Sequence, residues 1–79
     1  MNNMNEVNID YVYKTFEDLG MDIDEIEQEG IESGGEDWMD VISYITGKDA
    51  YDEFALTEDD DILIQEFISV MGEHGIELW

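Results

Sequence analysis

The 79-residue chain has no cysteine, no proline and no arginine, and its only lysines are Lys14 and Lys48. Without cysteine there is no disulfide, no thiolate metal site and no thiol nucleophile, which suits a reducing compartment. Without arginine or a glycine-rich phosphate loop, the usual machinery for phosphoryl transfer cannot be assembled. Long hydrophobic runs are also missing: no apolar stretch exceeds three residues, too short to span a membrane. The opening residues, MNNMNEVNID, carry neither the basic nor the apolar region of a secretory leader, so the expected location is the cytoplasm of a host bacterial cell. With no proline, no internal repeat and no evident linker, the chain reads as one domain.

What the chain does have is acid. Twenty-three Asp and Glu residues give a formal net charge of -21. Such a balance usually accompanies disorder, but 43% of residues are hydrophobic and nine are aromatic, enough for a small core. The fold then has to withstand its own repulsion, and its stability should rise with salt. Surface scaling gives a folded 9.1 kDa monomer roughly 4,900 Å², or about 230 Å² per net charge. Duplex DNA, with one charge per ~1.7 Å of axis, presents about 110 Å² per charge. The average density is half that of DNA, and clustering on one face would close the gap.

The apolar spacing predicts helices. Ile9, Val12, Phe16 and Leu19 recur at three- and four-residue steps after Asn8, a suitable N-cap, with Gly20 as the stop. Met21 and Ile23 alternate with acids as in a short strand, but Asp22 to Glu29 reads better as a short helix ended by Gly30. A third helix places Trp38, Val41, Ile42 and Ile45 on one face and stops at Gly47. After a turn or two within residues 48–56, Leu63, Ile64, Phe67, Ile68 and Met71 form the stripe of a last helix, with Gly72 and Gly75 as breakers. The tail GIELW alternates and suits an extended docked segment. The expected fold is mainly α: a compact single-domain bundle of three or four short helices with at most a minimal short β pairing. Residues 1–7 read as a flexible N-terminus and 8–79 as the acidic helical domain.

Part of the acid is local chemistry. In TEDDDILI, Thr57 and Asp60 form a capping box, and Glu58, Asp59 and Asp60 meet the positive end of the helix dipole. A calcium loop beginning at Glu25 would offer Glu25, Glu27, Glu29, Gly30 and Glu36. It has Glu where short Asp ligands are needed and Glu32 at the aliphatic position, so no metal site or cofactor is expected. His74 lies between glycines near a helix end and reads as a capping residue rather than a general base. No enzyme is expected.

The remaining acid points to a binding surface. Eleven acids fall within the 24 residues from Glu17 to Asp40. The carboxylates expected to contact a partner are Glu17, Asp18, Asp22, Asp24, Glu25, Glu27, Glu29, Glu36, Asp37, Asp40, Glu58, Asp59, Asp60 and Asp61. A charge this large with so little lysine exceeds what solubility requires.

The last stretch, ISVMGEHGIELW (68–79), resembles the Ocr anti-restriction family, in which a helix ending in Ser-Val-Met runs into Gly-Ile-acid-Leu. In size and charge the chain also resembles the wider class of small acidic phage inhibitors, which includes anti-CRISPR proteins. The resemblance implies a mostly helical phage or mobile-element protein whose carboxylates imitate DNA phosphates on a host defence nuclease, a CRISPR effector or a restriction enzyme. The expected partner is then a basic nucleic-acid-binding protein, with no direct contact to nucleic acid or membrane. The rival expectation is an acidic interaction module, such as an antitoxin or adaptor, that binds a basic partner without DNA mimicry. Exposed aromatics at Tyr11, Tyr44, Tyr51 or Trp79 would also suit a homodimer.

Overall fold

A computed structural model describes residues 7–79 and contains four helices: α1 (Ile9–Asp18), α2 (Ile23–Glu29), α3 (Glu36–Thr46) and α4 (Glu58–Glu73). A single 3-10 turn, Glu53–Ala55, lies between α3 and α4. The mainly α expectation is met. Among the described residues no helix is long and apolar enough to cross a membrane. Of the N-terminal segment 1–7, only Val7 is among the described residues, and it packs half-buried against the core.

Three of the four helices start where a side chain satisfies a free backbone amide. Asn8 accepts from the Tyr11 amide at 2.9 Å to open α1, and Asp22 accepts from the Glu25 amide at 3.3 Å to open α2. Gly35 opens α3 without a side-chain cap. Thr57 and Asp60 complete the capping box of α4, with the Thr57 amide donating to the Asp60 carboxylate at 2.8 Å. At the other end, α1 and α4 close with the same paired bonds. Met21 N–H donates to Phe16 O and Gly20 N–H to Glu17 O, just as Ile76 N–H donates to Met71 O and Gly75 N–H to Gly72 O. Gly20 and Gly75 supply the positive φ that this motif needs. Gly72, expected to break the last helix, lies inside α4; a glycine in the last turn weakens a helix without ending it.

Phe67 of α4 is the hub of the core. It is fully buried, with the rings of Phe16 and Trp38 each 6.0 Å away and that of Tyr11 at 6.1 Å. Val12, Val41, Ile64 and Met71 fill the remaining space, while Ile42, Ile45 and Ile68 pack half-buried at its edge. Tyr11 is therefore half-buried core, not the exposed aromatic expected; its edge-on contact with Phe67 draws it inward. Among the described residues the one buried hydroxyl, Thr15, is satisfied by donating to Tyr11 O at 2.9 Å.

The tail docks as an extended segment. Ile31 and Leu78 form a parallel bridge, with Ile31 N–H donating to Glu77 O at 2.8 Å and Trp79 N–H to Ile31 O at 2.9 Å. The Trp79 indole N–H adds a bond to Glu29 O at 3.0 Å. Gly30 makes this approach possible: its φ of 77 and ψ of -166 belong to glycine alone, and a Cβ there would collide with Glu77 O. Among the helices, α4 packs on α1 and α3, and α2 packs on α1 alone.

Candidate functional site, an acidic surface

All fourteen carboxylates singled out in the sequence lie outside the core; thirteen are exposed and Asp60 is half-buried. This follows from amphipathic helices whose apolar stripes are committed to Phe67 and its neighbours, leaving the opposite arcs for acid.

The acids do not form one uniform face. Residues of α2 and the start of α3 converge. One shallow cavity of about 230 Å³ is lined by Glu25, Glu32, Glu36 and Asp37 among others, and a second of about 270 Å³ by Asp22, Glu25 and Asp37. Glu25 and Asp37 line both, so they mark the meeting point. Glu32 belongs to this group but was not among the expected contacts, because its position in a loop gave no periodic signal. Glu58, Asp59 and Asp61 are carried by α4, which does not pack on α2. Asp61 instead joins Glu66 beside an apolar groove lined by Val7, Ile62 and Val70.

Both lysines are already committed to carboxylates. Lys14 pairs with Asp18 at 3.3 Å along α1, and Lys48 with Asp60 at 2.5 Å. Tyrosines hold Asp18 a second time and one further carboxylate, Glu27. Tyr44 of α3 donates to Asp18 of α1, and Tyr13 of α1 donates to Glu27 of α2 at 2.7 Å. These bonds tune the groups involved. The Tyr44 hydroxyl, then the Lys14 ammonium, hold Asp18 below the ordinary aspartate value. Lys48 and the Thr57 amide do the same for Asp60. Tyr44 and Tyr13 are pushed above the ordinary phenol value because their protons are engaged by Asp18 and Glu27. The tyrosine partners were missed in the sequence, where Tyr13 and Tyr44 differ in no local way from other helical tyrosines.

Glu25, Glu27 and Glu29 stand on a regular helix, not on a loop that wraps a cation. Among the described residues, no group of three or more His, Asp or Glu is arranged to hold a metal ion. His74 is exposed and forms the C-cap of α4. Segment 68–79 supplies Ile68, Met71, Ile76 and Leu78 to the core and its edge.

The whole surface measures 5357 Å², which for a charge of -21 is about 255 Å² per net charge, close to the density expected from mass alone. The Cα envelope measures 34 × 32 × 20 Å. No protein-family model, curated protein or solved structure matches the chain.

Proposed function

We propose that this protein is a DNA mimic that blocks the nucleic-acid-binding surface of a basic host protein, with a CRISPR effector or a restriction enzyme as the leading targets. One observation carries the reading: carboxylates cover the outer arcs of all four helices, while both lysines are already paired with Asp18 and Asp60. A target presenting Lys and Arg to DNA phosphates would meet exposed carboxylates here, at somewhat less than half the average charge density of duplex DNA. Long-range attraction would speed encounter and make binding fall steeply with salt.

The test is inhibition with competition. The protein is titrated into DNA cleavage by a type I restriction enzyme and by a guide-loaded Cas9-type effector. A mimic inhibits, and added duplex DNA relieves the inhibition in proportion to its concentration. Replacing Asp22, Glu25, Glu36 and Asp37 with their amides should weaken inhibition while the fold persists. Undiminished inhibition by that variant, or inhibition indifferent to DNA, refutes mimicry.

The groove of Val7, Ile62 and Val70 beside Asp61 and Glu66 favours a second reading, an acidic interaction module that binds its partner through apolar and charged contacts together. Such a module binds equally well whether or not the partner holds DNA.

A further inference from the structure

Charge attracts a basic partner without selecting one, and two exposed aromatics close in sequence lie on the α3–α4 connection. Phe54 is 93% exposed and Tyr51 68%, three residues apart. A single exposed aromatic is unremarkable, but this pair is held in place by its own segment. Ala50 is buried, and its amide donates to the Ser43 hydroxyl at 3.0 Å, fixing the loop to α3. Asp49 accepts from the Tyr51 amide at 3.0 Å, and Asp52 from the Phe54 amide at 3.2 Å. Backbone bonds from Asp52 to Asp49 and from Ala55 to Asp52, both 3.0 Å, complete the turn. The Lys48–Asp60 pair ties the start of the loop to the first turn of α4. The backbone that carries the two rings is thus held at several points, so contact would cost little further backbone ordering.

We propose that Tyr51 and Phe54 form a preorganised apolar anchor that enters a pocket on the partner protein, a pocket bordered by that partner's lysines and arginines. Charge selects this occupant. Asp49 and Asp52 flank the rings, and Glu58 and Asp59 follow along the chain, all exposed. A second copy would bring the same acids and another -21, and nucleic acid or an anionic membrane would be repelled in the same way. A protein surface with basic side chains around an apolar recess satisfies both the rings and the carboxylates. The inference rests on the DNA-mimic reading for the class of partner, and it locates the specificity of that contact in the loop instead of the acidic helices.

The experiment measures Kd for the type I restriction enzyme and the guide-loaded Cas9-type effector over a salt series. It compares the native protein, Tyr51→Ala/Phe54→Ala, and Glu25→Gln/Asp37→Asn, with thermal melts to confirm that each variant is folded. The loop variant keeps every charge. It should bind the inhibited enzyme about 30-fold or more weakly at every salt concentration, a parallel displacement of the salt line arising in the dissociation rate. The carboxylate variant should instead flatten the line. If the loop variant binds like the native protein while the carboxylate variant is impaired, the anchor is refuted and mimicry stands. If only the loop variant is impaired, the anchor stands and mimicry is refuted. If the native protein binds neither enzyme, both are refuted.

Discussion

Neutralising Glu25 and Asp37 together should stabilise the fold, and the size of the gain tests whether repulsion dominates its energetics. A Cα radius of gyration of 12.1 Å corresponds to a sphere of about 16 Å radius. Spreading -21 over that sphere at 0.1 M salt, where the Debye length is ~10 Å, gives about 2 kcal/mol of repulsion per added carboxylate. In an unfolded chain of this length, with a radius of gyration near 28 Å, the same sum gives about 0.5 kcal/mol. Removing two charges therefore favours the folded state by about 3 kcal/mol. Opposing this, Glu25 and Asp37 sit in the first turns of α2 and α3, where each carboxylate gains about 0.5 kcal/mol from the helix dipole. Repulsion wins, and Glu25→Gln/Asp37→Asn should be about 2 kcal/mol more stable than the native protein at 0.1 M salt. At 1 M salt the Debye length falls to ~3 Å, and the repulsive gain should shrink to about half. Urea unfolding at the two salt concentrations measures both numbers. A variant less stable than the native protein at low salt, or a gain that does not shrink with salt, would refute the balance of terms.

Three other perturbations probe the elements that position the acids. Thr57→Ala removes the hydroxyl that accepts from the Asp60 amide and should cost about 1 kcal/mol in urea unfolding; Thr57→Ser should restore most of it. Gly30→Ala forces a Cβ against Glu77 O at a backbone geometry costing about 1–3 kcal/mol, so the amides of Ile31 and Trp79 should exchange with solvent faster even in molecules that remain folded. Tyr13 and Tyr44 both titrate above the ordinary phenol value of 10.0, so the folded state holds their protons more tightly than the unfolded chain does. The stability they contribute is complete below that value and is lost as pH rises through the raised ones. Chemical unfolding from neutral pH to about pH 11 should show a smaller alkaline loss in Tyr13→Phe/Tyr44→Phe than in the native protein; an equal loss would refute it.

The features legible in the sequence were those set within a few residues. Asn8 and Thr57 cap helices because each carries a short acceptor just before an apolar periodicity, and Gly20, Gly30 and Gly47 mark the ends as expected; Asp22, read as the first residue of its helix, is instead its N-cap. Gly72 misled because a glycine signals a stop only when the following residues make the closing bonds, and here Gly75 and Ile76 make them instead. Tyr11 misled because its burial depends on Phe67, remote in sequence but adjacent in space. The same limit applies to the acidic surface. That these residues face outward was readable from the stripes, but that Glu25 and Asp37 line the same cavities, and that α4's acids are separate from those of α2, depends on how the helices pack. Phe54 offered no local sign of exposure, since an apolar residue in a short turn most often folds inward.

The two tyrosine–carboxylate bonds bear on why the charge is so high. A carboxylate at a helix–helix contact needs a donor, and lysine or arginine is the usual choice. Either would cancel a charge. Tyr13 joins α1 to α2 through Glu27, and Tyr44 joins α3 to α1 through Asp18, and each hydroxyl supplies a donor while leaving the carboxylate ionised. A neutral donor earns less than an ion pair in attraction, but at these exposed positions an ion pair is worth little in any case. The chain thus connects three helices with hydrogen bonds that leave its net charge intact. If negative charge were only a by-product of solubility, lysine at positions 13 and 44 would tie the same helices together and relieve repulsion as well. Tyrosine at both positions spares the net charge, and at Asp18 it adds a second donor beside Lys14.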